Sequence, residues 1–298
     1  MRKAYRFLAA ALSLVLCTGL QSCHNEKISS GYPILFRCAD VTRAEATITD
    51  LQDNGFDVNA YFTANGSEFS FTKSLSYDNV SGIWGYNDIE YWLPGATYYF
   101  KALYPTDAGT IDNSTSAQSL TISNFDVTSQ TDLLVAETEA IVVDASIGSP
   151  TGGSVVNLQF KHLLACVEIK IKSSINVTIN KITLNDIENF CKYSNGWQSN
   201  GNRTDLEITS DVELTPGADA QSVTGSILVV PIMTGYETIT IEASNKTYSN
   251  ISLPENTSWK NGRKYTYVAE IKQNDIIFNE PSVKVWDSES ATGSVIIQ

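Results

Sequence analysis

The sequence is short of the residues that carry most side-chain chemistry. Its 298 residues include two His, two Met and five Cys. This scarcity gives little support to a His-based metal or catalytic centre, and there is no CxxC or Cys/His zinc spacing. Cations are also scarce, with 20 Lys and Arg against 33 Asp and Glu and a net charge of −13. Nucleic-acid partners draw on clustered cations, so none is expected. Charged residues make up only 18% of the chain, whereas extensive disorder needs high charge and few aromatics. Nucleophile-elbow, P-loop, dinucleotide GxGxxG and HExxH patterns are absent. Nothing in the spacing selects a glycosidase-like carboxylate pair, so no catalytic residue, metal site or cofactor is assigned.

What the chain has is aromatic and β-branched residues, with 14 Tyr, 11 Phe and 5 Trp, a diet that suits pleated, half-buried surfaces. Apolar residues alternate along most of its length, and sustained 3.6-residue stripes are nearly missing. Strands are predicted over residues 56–62, 68–71, 82–86, 97–104, 119–122, 155–160, 165–171, 177–184, 226–230, 238–243, 265–271 and 283–286. Between them lie turn signals such as Asn65-Gly66, Pro94-Gly95, Asn195-Gly196 and Asn261-Gly262. A dozen short strands at this spacing point to an all-β sandwich architecture.

Residues 146–154, uncharged and rich in Gly and Ser, are the best candidate linker. They divide the chain into an N-terminal domain over residues 44–150 and a C-terminal domain over 151–298. Residues 195–205 form a second polar stretch and are predicted to be a long loop.

The first 22 residues read as a secretory signal: Arg2, Lys3 and Arg6, then an apolar run from Phe7 to Leu20. The run falls short of the ~20 residues that span a bilayer comfortably. It ends at Leu20-Gln21-Ser22-Cys23, which resembles the lipobox of bacterial lipoproteins. That resemblance implies cleavage before Cys23, acylation of Cys23 and an outer-membrane lipid anchor. Several acyl chains hold a protein far more firmly than one. Past Cys23, the thiols of Cys38, Cys166 and Cys191 remain, either as buried free thiols or with a Cys166–Cys191 bridge.

A family comes into view in the order of the motifs. The N-terminal half carries Gly55-Phe56, Ala60-Tyr61, Trp84, Tyr86, Tyr91-Trp92 and the run from Tyr99 to Pro105. The C-terminal half carries the runs from Asp132 to Ala136 and from Phe160 to Ala165, then Trp259, Gly262, Tyr265 to Tyr267, and Val283 to Trp286. Together these resemble the fimbrillin-like superfamily, the lipoprotein pilins and accessory subunits of type V pili in Gram-negative gut and oral bacteria. The resemblance implies two β-sandwich domains of transthyretin-like topology. It also implies a structural or adhesive subunit, not an enzyme, that polymerises by strand exchange after a protease removes the first strand.

Carried over residue by residue, residues 34–41 are the removable strand, with Ile34, Phe36 and Cys38 on one face and Leu35, Arg37 and Ala39 on the other. The maturation cut falls at Arg43–Ala44, with Arg37 a weaker candidate. The donor lies within residues 283–298, where Val283 and Val285 alternate with polar neighbours and Val295, Ile296 and Ile297 form a terminal apolar patch. Residues 283–286 read equally well as part of the C-terminal sandwich. Expected partners are other pilus subunits, joined by β-strand addition, with host proteins or glycans beyond them. His162 is read as a packing residue. The second reading is a monomeric surface lipoprotein that binds glycans or host ligands through exposed aromatics. Trp197, in a polar surrounding, is its candidate ligand contact.

Overall fold

Alternation dictates most of the architecture. A computed structural model describes residues 31–39, 48–254, 258–273 and 275–286, and almost every regular element in it is a strand. The described residues contain one α-helix, the seven-residue Ile48–Asn54, and one 3-10 turn, Val127–Ser129. None of these is long and apolar enough to cross a membrane. The chain is an all-β protein built around two hydrophobic cores.

The first core lies under a seven-stranded sheet. Its centre is Thr97–Tyr104 between Phe56–Ala64 and Leu134–Glu137, all antiparallel. Period-two alternation turns Tyr98, Phe100 and Ala102 of one strand, and Phe56, Val58 and Ala60 of its neighbour, into the core. A separate two-stranded parallel pair, Leu35–Ala39 with Val155–Gln159, contributes Phe36, Val156 and Leu158 to the same core. Gly55 ends the short helix at φ +73°, where a side chain would be strained and a Cβ would collide with the carbonyl oxygen of Leu75.

The second core lies between two sheets. One is centred on Ala165–Ser173 and Arg263–Ile271, which run parallel, and supplies Val167, Ile169, Ile171, Tyr267 and Ala269. The other is the four-stranded antiparallel sheet of Asn202–Leu214, Val177–Asn189, Thr238–Ala243 and Thr247–Ser252, which supplies Ile179, Ile182, Leu184, Ile239 and Ile241. A smaller sheet ties early chain to late. Thr110–Ile111 and Leu120–Phe125 pair with each other, and Leu120–Phe125 also pairs with Cys191–Ser194. Leu120, Ile122 and Phe125 therefore belong to the second core although they precede the end of the first.

Residues 146–154 fold as an ordered turn: the Asp144 carboxylate accepts from the backbone N–H of Ser146 (2.7 Å) and Ile147 (3.2 Å), and Trp92 donates its indole N–H to the Ser154 carbonyl (3.2 Å). Past this turn, Phe160 packs in the first core and Leu163 in the second. The stretch read as a long loop at 195–205 instead holds the strand Trp197–Gln198 and the start of the thirteen-residue strand Asn202–Leu214. Cys166 and Cys191 are buried and form no bridge with each other, one of the two states the sequence leaves open.

Candidate functional site

The first strand enters the core in two steps. At Pro33, which makes an antiparallel bridge to Tyr91, the Ile34 N–H donates to Glu90 O (2.9 Å) and the Trp92 N–H donates to Tyr32 O (2.9 Å). From Leu35 the chain turns to its parallel ladder, with Leu35 opposite Val155 and Cys38 opposite Leu158. Ile34 is fully buried and Phe36 is 5% exposed, while Leu35 is 39% exposed and Arg37 faces solvent. This is the two-faced division that alternation from Ile34 to Arg37 requires.

Aromatic rings form the bed under this strand. Phe36 meets Phe100 edge-on at 5.5 Å and Tyr86 at 5.7 Å. Trp92 stands edge-on to Tyr98 (4.9 Å) and Phe100 (5.9 Å). Edge-to-face pairs of this kind are worth ~0.5–1.5 kcal/mol beyond the area they bury. The Tyr86 hydroxyl donates to the Ile34 carbonyl at 2.7 Å, satisfying it where the ladder has not yet begun. Cys38 is half-buried at the far end of the strand, and burial pushes its thiol up to about 12. Tyr86 and Trp92 were visible in the sequence as motif aromatics. The contacts of Tyr86 with Ile34 and Phe36, some fifty residues earlier, have no local signal.

The C-terminal candidates are placed in part. Ser282–Val285 pairs antiparallel with Arg263–Ile271, with Val283 opposite Tyr265 and Val285 opposite Arg263. The two valine side chains are 51% and 41% exposed. The strand ends in a clasp. Trp286 N–H donates to Gly262 O (2.9 Å), and its buried ring stacks on His162 with centroids 3.9 Å apart and planes 13° apart. His162 is buried in turn, with Nδ1 2.5 Å from Oδ2 of Asp132, and Asp132 Oδ1 accepts the Leu133 N–H (2.7 Å). The histidine is thus a packed, partnered residue at the junction of the two cores.

Trp197 packs against the second core. It is half-buried, donates its indole N–H to Leu163 O (2.8 Å) and packs edge-on against Phe125 and Tyr193. Cys23, Arg43, Ala44, Val295, Ile296 and Ile297 lie outside the described residues. Among the described residues no group of His, Cys, Asp and Glu is arranged to hold a metal ion.

The fimbrillin-like family profile matches residues 42–286. The chain belongs to the fimbrillin-like family. The match begins just beyond the first strand. Two solved structures share the fold. A candidate cell adhesion protein from Bacteroides uniformis superposes with a TM-score of 0.55 at 15% identity, covering 87% of this chain and 99% of its own. A second, from Bacteroides ovatus, gives 0.53 at 13% identity with the same coverages of 87% and 99%. No curated protein sequence matches the chain.

Proposed function

We propose that this fimbrillin-like chain is a structural or adhesive subunit of a type V fimbria. It is exported as a lipoprotein acylated at Cys23, held at the outer membrane, matured at Arg43–Ala44 and polymerised at the cell surface by donor-strand exchange. The observation that carries this reading is the placement of the first strand. Ile34 and Phe36 are core residues of the first half, yet their segment joins that half through a two-stranded parallel pair and lies ahead of the family match.

Losing the strand would uncover the rings of Phe100 and Tyr86 and strip Val155–Gln159 of its ladder. A bare edge beside an apolar groove is a template for pairing with another chain. Each large side chain reinserted regains ~1.5–3 kcal/mol, and each ladder hydrogen bond adds ~0.5–1.5 kcal/mol net. That is the β-augmentation mode of peptide recognition.

The donor comes from residues 283–298 of a neighbouring subunit. Val283 and Val285 have an edge partner of their own in Arg263–Ile271, which favours the segment beyond Trp286, with Val295, Ile296 and Ile297, as the part donated. The test is to incubate the purified chain with an Arg-specific protease and read both the product's N-terminus and its oligomeric state. Cutting after Arg43 followed by ladders of multimers supports the reading. Resistance of residues 24–43, or a clean cut that leaves a monomer, overturns it.

A further inference from the structure

Where the two cores meet, a cleft of about 710 Å3 opens to solvent, within the ~300–1,000 Å3 range of small-molecule sites, which favour such junctions. Its walls come from distant parts of the chain. Lys101 lies on the central strand of the first sheet and Lys161 on the short strand Lys161–His162, while Tyr193 and Asn195 come from the smaller sheet and its turn. Asn261 and Arg263 complete the lining. None of the walls belongs to the first strand or its partner Val155–Gln159.

The charge of this cleft runs against that of the chain. Acids outnumber cations 33 to 20 overall, yet this cleft is lined by three cations and one carboxylate, Glu137, which pairs with Lys101 at 3.4 Å. Among the described residues, Lys161 and Arg263 have no carboxylate within 4 Å. A concave wall of one sign concentrates its field on whatever enters. The remaining chemistry is amide and phenol. Asn195 and Asn261 offer exposed side-chain amides, and the Tyr193 ring is held at a fixed angle by Trp197, edge-on at 5.3 Å, itself anchored to Leu163 O.

A flat ring, hydrogen-bonding amides and two uncommitted cations meet the needs of a sugar that carries an acid. The pyranose C–H face packs on the aromatic ring, its hydroxyls take the amides, and its carboxylate or sulfate takes charge-assisted hydrogen bonds from Lys and Arg. We propose that this cleft binds an acidic saccharide, with Lys161 and Arg263 holding the anion and Tyr193 the ring. Trp197 then serves recognition as a positioning residue behind Tyr193.

The test is retention of the uncut chain on an array of carboxylated oligosaccharides (oligogalacturonates), sulfated ones (heparin fragments) and neutral galactans. Acidic glycans should be retained over neutral ones, and the preferred acid type identifies the anion. A Lys161→Ala/Arg263→Ala variant should bind about tenfold or more weakly, while Lys192→Ala/Lys260→Ala, which removes the same charge outside the cleft, should bind as the parent does. No acidic glycan retained above neutral, or equal loss in both variants, overturns the proposal. Because the assay uses uncut chain and requires no assembly, its failure leaves the strand-exchange reading standing, and the reverse holds too.

Discussion

The Tyr86 hydroxyl donates a 2.7 Å hydrogen bond to the carbonyl of Ile34, and it accepts the Glu90 N–H at 3.3 Å. One side chain thus ties the first strand to the segment against which its leading residues bridge. Tyr86→Phe should cost the uncut chain ~0.5–1.5 kcal/mol, read as a lower urea midpoint with an unchanged slope. In a chain that has lost the strand, the same substitution should cost much less.

Phe36 presses on Phe100 and Tyr86 with 5% of its surface exposed. Phe36→Ala should destabilise the uncut chain by ~3–5 kcal/mol, the range for emptying a buried aromatic site. Leu35→Ala, one residue away on the solvent face, should stay within ~0.5 kcal/mol. The contrast, measured by urea unfolding, checks the orientation of the strand.

Cys38 is a built-in reporter of strand insertion. Burial holds its thiol near 12, so at pH 8 it should alkylate far more slowly than an ordinary thiol of pKa ~8.5. Displacing the strand should restore fast labelling at Cys38, with Cys166 and Cys191 staying protected in the second core. The folded value is raised, so the stabilisation is complete below the ordinary thiol value and is lost as pH rises toward 12, by about 1.4 kcal/mol per unit. Raising the pH from 8 to 10 should loosen the strand, and Cys38→Ser should flatten this trend in the labelling of a reporter placed at Arg37.

Trp286 closes the described C-terminal strand by stacking on His162. Trp286→Ala should cost ~3–5 kcal/mol and speed amide exchange along Ser282–Val285, the edge it secures. Unchanged exchange there would show that pairing with Arg263–Ile271 alone holds that edge.

Much of this arrangement was legible in the sequence because the determinants were local. Thr97–Tyr104 has the bounds its alternation predicts, with Tyr98, Phe100 and Ala102 on one face. Asn202–Leu214 escaped because its opening residues are polar and, of its four alternating apolar residues, only Leu206 and Leu214 are buried. Its hydrogen-bond partner, Val177–Asn189, decides it. The helix Ile48–Asn54 is too short to show a period. The parallel partner of the first strand comes about 120 residues later, and no pattern inside either strand encodes that pairing. Trp197 stands in a polar stretch of sequence, whereas its packing partners, Leu163, Phe125 and Tyr193, are spread along the chain. The acidic-saccharide cleft is likewise a product of topology, since Lys101, Lys161 and Arg263 sit on three different strands.

Removal of the strand bearing Ile34 and Phe36 is the central claim, and the N-terminal residue of the protein recovered from assembled fibres on cells tests it most directly. Ala44 is the expected first residue. Fibres whose subunits begin at Cys23, or anywhere before Tyr32, would still carry the first strand and contradict it.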